Sequence, residues 1–184
     1  SGQRAWCAAG WEYGESGGYR EVGHDGGTRV RARIVFEDSL DGDVYAFAYL
    51  TNGSTRNVWS RVLVDSAMAA TAPDRFPAEA LSETLVAYAL QPSVEGDMQA
   101  QADSIRASSV LRDADLERVI NNTGYSVREN LGVAPALRVF ELNTLLFQDS
   151  ANAWDSLAEA HAAKGDKDLT KALYDKARRR LGKQ

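Results

Sequence analysis

Apolar and polar positions alternate in short bursts through the first fifty residues, and then the period changes. From Ala5 to Thr51, stretches rich in aromatic and β-branched residues are separated by turn signals, which is the pattern of antiparallel strands. It predicts strands at Trp6–Tyr13, Tyr19–Asp25, Val30–Phe36 and Val44–Leu50. Gly17-Gly18 and Asp41-Gly42 stand at two of the turns, where glycine accepts positive φ. The last strand, VYAFAYL, is apolar at every position, which predicts cover on both faces of its sheet. In the third, Val30, Ala32, Ile34 and Phe36 point one way and Arg29, Arg31 and Arg33 the other. That arginine face must be wet, paired with nearby carboxylates, or bound to an anion, so the three arginines are candidate anion contacts.

After Asn52-Gly53 the apolar spacing becomes helical. Trp59, Val62, Leu63 and Ser66 line one side of a helix expected from about Asn57 to Ala70, which ends before Pro73. The stretch Thr71–Pro77 holds two prolines and reads as a linker, and no strand pattern recurs beyond it. The expected fold class is α+β: an antiparallel sheet with a packed helix over residues 1–76, followed by an all-helical tail over residues 77–184.

The tail has an internal period. Ile120 and Trp154, Gly124 and Ala158, Ala136 and Thr170, and Phe140 and Tyr174 are each 34 residues apart. This resembles the tetratricopeptide (TPR) repeat, whose length it matches. Trp154, Leu157, Gly165, Tyr174 and Ala177 fall where such a unit places its large and small packing residues. Thr123 and Asn143 depart from the pattern in the first copy. So short an array must lean on a neighbour, and its aromatic and alanine positions are expected to be packing residues before they are a ligand box.

Charge narrows the classes of function. The net charge is -5, and the basic residues form no stripe interleaved with aromatics, which argues against a nucleic-acid surface. The exception is the cluster Lys176, Arg178, Arg179, Arg180 and Lys183, where cations in the last turns of a helix complement its dipole. Cys7 is the single cysteine and has no internal disulfide partner; a buried, inert thiol is expected. No apolar run approaches the ~20 residues of a membrane span. Ser1-Gly2-Gln3 resembles no signal peptide and reads as a cut start.

One segment carries chemistry. GWEYGESGGYREVGHDGGTRVRARIVFEDSLDGDVYAFAYLTNG contains Gly10-Trp11, then His24-Asp25-Gly26-Gly27-Thr28, then Leu50-Thr51-Asn52. In that order these pieces resemble the C-terminal half of the serine β-lactamase, penicillin-binding-protein and class-C-like esterase superfamily. There a GW strand precedes a strand bearing H-x-G or K-T-G, and a hairpin ends in L-T-N. The text FELNTLLFQDSANAWDSLAEAHAAKGD is similar to a helical repeat appended to some members. The resemblance implies a catalytic wall formed by His24, Gly26 and Gly27. The Gly27 N–H would be an oxyanion donor, and His24 would help set the proton balance of the catalytic tyrosine and lysine. Where the family often continues with Pro-Gly, this chain has Arg29, Val30, Arg31 and Ala32.

The nucleophile is missing. Acyl-enzyme chemistry of this kind needs S-x-x-K, which puts the amine one helical turn from the hydroxyl whose proton it takes. No serine here has a lysine three residues later, and there is no Tyr-x-Asn or Tyr-x-Ser. The expectation is therefore a fragment or subunit of a serine hydrolase that is inactive alone and calls for no cofactor and no metal. Its partner would be the missing N-terminal half or a second copy of the chain, covering whichever face of VYAFAYL is left open. The resembled family includes many exported bacterial enzymes. Two other readings stand beside this one: a protein-binding module whose TPR-like tail docks a peptide, and a noncatalytic descendant that keeps the fold for protein contacts.

Overall fold

The computed structural model describes residues 7–8, 10–16, 19–26, 30–50 and 60–181. It has an α+β architecture and divides into two compact units, Ser1–Ala80 and Leu81–Gln184. The division falls inside a helix, α2 (Pro77–Leu90), a few residues beyond the boundary expected from the prolines.

Among the described residues, the first unit is a five-stranded antiparallel meander in which each strand pairs with the next in sequence. The strands are β1 (Cys7–Ala8), β2 (Trp11–Ser16), β3 (Tyr19–Gly26), β4 (Val30–Phe36) and β5 (Val44–Leu50). β4 and β5 fall on the expected bounds, because both are uninterrupted β-branched, aromatic and alanine runs closed by turn residues. Helix α1 (Ser60–Thr71) follows.

The faces of the sheet sort in an unexpected way. On β4, Arg31, Arg33 and Val35 are buried, whereas Ala32 and Ile34 are exposed. On β5, Tyr45, Phe47 and Tyr49 are half-buried, and Val44, Ala46, Ala48 and Leu50 are exposed. The register pairs Arg31 with Tyr49, Arg33 with Phe47 and Val35 with Tyr45, so the arginines share the face of the three aromatic rings. The core of this unit is Val35, Val64, Met68 and Phe76, with Tyr19, Tyr45, Phe47 and Tyr49 packed against it. Phe76 meets the rings of Tyr45 at 5.1 Å and Tyr19 at 5.2 Å. Aromatic rings bury more apolar area than alanine methyls. The aromatic face of β5 therefore turns inward and carries the arginines with it.

Three expectations are corrected here. VYAFAYL is covered on one face, not two. The stretch read as a linker places Phe76 in the core, 3% exposed. The single strand expected at Trp6–Tyr13 is two, β1 and β2, with Gly10 at a φ of 81° between them; on α1, Val64, Met68 and Ala69 are buried, while Trp59 and the side chains of Val62 and Leu63 lie outside the described residues.

The second unit consists of the rest of α2 with α3 (Asp97–Ser108), α4 (Asp113–Leu131), α5 (Val133–Leu146), α6 (Ala151–Lys164) and α7 (Lys167–Leu181). α5 and α7 begin 34 residues apart, whereas α4 and α6 begin 38 apart, so the period of the sequence is met by the second helix of each pair and not by the first. Its largest fully buried side chains include Phe140, Leu85, Ile120 and Leu142. Glycine at position 124 is dictated by close approach: a Cβ there would lie 2.6 Å from the Phe140 ring. Its counterpart one period later, Ala158, is also fully buried. Gly165, with φ of 93°, ends α6 and donates to the carbonyls of His161 and Ala162, a left-handed helix stop. Arg138 fastens the link between α2 and α3, donating to the Gln91 carbonyl at 2.5 Å and the Asp97 carboxylate at 2.5 Å while lying over the Tyr88 ring at 4.4 Å.

Candidate functional site

The arginine face of the sheet is internally paired. Arg33 is 4% exposed and Arg31 6%. The Arg33 guanidinium reaches the Glu12 carboxylate at 2.6 Å and also pairs with Glu21, while Arg31 meets Glu21 at 3.4 Å. Glu12, Gly23 and Arg33 are opposite one another on three adjacent strands. The absence of a side chain at Gly23 opens the route by which Arg33 crosses β3: a Cβ there would lie 2.5 Å from Arg33 Cδ and would run into the Ala32 carbonyl oxygen. The aliphatic stems of both arginines lie on the core side, and the charges end on carboxylates from β2 and β3. Of the three states open to this face, pairing is the one observed for Arg31 and Arg33; Arg29 lies outside the described residues.

The opposite face holds the resembled motif. His24 is paired with Ala32, which is paired with Ala48, so the three share a face, and all three are exposed. The same face carries Ile34 at 39% exposure, Val44 at 44% and Leu50 at 72%. Trp11, one position before the Glu12 paired with Gly23, belongs beside His24 and is 51% exposed. Gly26 is in the ladder opposite Val30. Gly27 lies outside the described residues. The structure thus brings His24, Trp11 and an apolar sheet surface together. It takes Arg31 and Arg33 away to the other side.

A second group of polar residues sits in the helical unit. His161 is buried at the end of α6, its Nδ1 lies 3.0 Å from the Asp166 carboxylate, and Lys164 Nζ is 3.2 Å from the same group. These two hydrogen bonds hold the Asp166 carboxyl below its ordinary pKa. Glu141 on α5 is pushed the other way by burial, although His161, Lys164 and Arg138 oppose the shift. Asp166 directly follows the Gly165 stop, so the cluster locks the turn between α6 and α7.

The C-terminal cations divide by position. Lys176 Nζ stands 3.4 Å from the centroid of the Trp154 ring and the Arg180 guanidinium 5.0 Å, and the Trp154 indole N–H donates to the Gln148 carbonyl at 2.8 Å. Trp154, expected as a packing residue, is half-buried with a cation on its face. On the other flank of α7, Lys167, Lys171 and Arg178 line an open cleft against α6. The sequence pattern missed this cleft, although the spacing of its three cations along one helical stripe was available to find it.

Among the described residues no cluster of histidine, cysteine, aspartate and glutamate is arranged to hold a metal ion, and no helix is long and apolar enough to cross a membrane. Comparison with known proteins found no matching family model, no matching curated protein and no matching solved structure.

Proposed function

We propose that this chain is the partner-dependent component of a β-lactamase-like serine hydrolase: it supplies the wall bearing His24, and a second polypeptide supplies the S-x-x-K nucleophile. The observation that carries the reading is the composition of the outer sheet face, where a histidine stands among exposed Trp11, Ile34, Val44 and Leu50. Surface of this kind, contiguous and apolar around one titratable side chain, is characteristic of an interface that another element covers. A partner there would place its serine and lysine on the side of the sheet where His24 can meet them, which is the geometry that acyl transfer requires. The 34-residue offset between α5 and α7 in the helical unit supports the TPR-like appendage of the resembled family.

Fluorophosphonate and fluorescent penicillin labelling test this reading. The chain alone takes no label, because it holds no activated serine. Material isolated from its native source takes label on a second, co-purifying polypeptide, and Leu50→Asp in this chain abolishes the co-purification. Stoichiometric labelling of a serine in this chain overturns the reading, as does a labelled complex that forms equally well with Leu50→Asp.

A further inference from the structure

The cleft between α6 and α7 has a volume of about 400 Å³; three cations, Lys167, Lys171 and Arg178, and one carboxylate, Asp175, line it together with Ala162 and Tyr174. Its cations are not accounted for by the helix that carries them. A helix dipole favours cations in the last turn, where Arg178, Arg179 and Arg180 stand, and disfavours them at the start. Lys167 is the first residue of α7, and Lys171 lies one turn further on, at the i,i+4 spacing where like charges repel. Both are exposed. Among the described residues no carboxylate lies within ion-pair distance of either, whereas Lys164 pairs with Asp166 and Arg178 approaches Asp175 at 3.8 Å. Asp155 and Glu159 of α6 face Tyr174, and Glu159 is already engaged by Tyr125 and Arg128. Asp175 offsets Arg178 at one end of the cleft, so its excess positive charge is at the other, where Lys167 and Lys171 stand beside Ala162 and the ring of Tyr174 follows.

We infer that this cleft docks an acidic segment of a partner polypeptide, with carboxylates on Lys167 and Lys171 and an apolar side chain against Tyr174. Four residues along a helix advance about 6 Å, and alternate residues of an extended chain advance about 6.6 Å. An extended segment with acidic residues at alternating positions therefore matches the two ammonium groups. The next apolar residue reaches the half-buried Tyr174. This surface belongs to the helical unit, and the proposal is independent of the hydrolase reading of the sheet.

Fluorescence anisotropy with the full chain tests it. The probe is a fluorescein-labelled peptide with glutamates at alternating positions followed by leucine, and its counterpart has lysine in place of each glutamate. The glutamate peptide is expected to bind and the lysine peptide not to, with affinity falling as salt is raised. Lys167→Glu or Lys171→Glu weakens binding by about tenfold. Arg179→Glu, which makes the same change in charge on the outer side of α7, weakens it by no more than about twofold. Lys171→Gln gives an intermediate loss, and far-UV circular dichroism reports whether each variant keeps its helices. An equal loss from Arg179→Glu overturns the inference, as does binding of the lysine peptide, absence of any peptide binding, or displacement of the peptide by RNA or anionic vesicles at lower concentration than by unlabelled peptide.

Discussion

Arg33 is the residue in which sequence and structure differ most usefully. A strand that alternates arginine with valine, alanine and isoleucine leaves open whether its arginines are wet, paired or bound to an anion. The observed strand turns its arginines inward because they travel with the aromatic rings of β5. Glu21 serves two of these buried guanidinium groups. Removing Glu21 takes one counter-charge from both guanidinium groups at once, although Arg33 keeps Glu12. Glu21→Ala is therefore expected to cost about 2–3 kcal/mol in urea unfolding, toward the low end for a buried pair because Glu21 is itself partly open to water. A cost near zero in that titration would mean that water already solvates the arginines. Asn143 makes the opposite case. It is fully buried on α5, and neither amide atom has a hydrogen-bond partner among the described residues. Asn143→Leu, similar in size and without a polar group to desolvate, is expected to raise stability by about 1–2 kcal/mol; thermal or chemical denaturation checks the sign.

At the scale of elements, α5, α6 and the start of α7 meet around Glu141, His161 and Asp166. Burial raises the Glu141 pKa, so the folded state holds that proton more tightly than the unfolded chain. The associated stability is full below the ordinary glutamate range and is lost as pH rises through the raised value. Near pH 7 a charged Glu141 is therefore a cost, and Glu141→Gln is expected to raise the melting temperature there. The difference should disappear on acidification to the ordinary glutamate range, and melting curves of both proteins across pH 3.5–7.5 decide the matter. Asp166 acts with the opposite sign. Its pKa is lowered by hydrogen bonds from His161 and Lys164, so its contribution is present above the ordinary aspartate range and lost as pH falls through the depressed value. The bounds of β4 and β5 and the helical character of the tail were legible in the sequence, since run length and period are local properties. The burial of Val64 and Met68 on α1 was not, because both are chosen by what lies beneath them.

For the whole molecule, the decisive feature is a sheet with one face packed on its own helix and the other presenting Ile34, Val44, Leu50 and Trp11 to solvent. Charged substitutions there remove no core contact. Ile34→Lys and Leu50→Lys are expected to change unfolding free energy by less than about 0.5 kcal/mol. The same pair should lower binding of a hydrophobic dye and suppress concentration-dependent self-association measured by sedimentation. A loss of several kcal/mol would mean that the face is already covered in solution. The alternation of VYAFAYL puts Tyr45, Phe47 and Tyr49 on one face and Ala46, Ala48 and Leu50 on the other, either of which could be the open one. The structure selects the second set.

The sequence by itself determined the α+β class, the bounds of β4 and β5, the helical character of the tail and the lack of an S-x-x-K motif. Each follows from residues close together in the chain or from a motif that is either there or not. Only the tertiary structure decided which way the sheet faces. The alternation of β4 is equally compatible with either orientation, and the choice falls to the combined burial of Tyr45, Phe47, Tyr49 and Phe76 against that of the alanines opposite. The same holds for the destination of the arginines. Whether a guanidinium is solvated, bound to an anion or paired depends on what stands across the sheet, and the register that sets Glu12, Gly23 and Arg33 in one row is a property of three strands together.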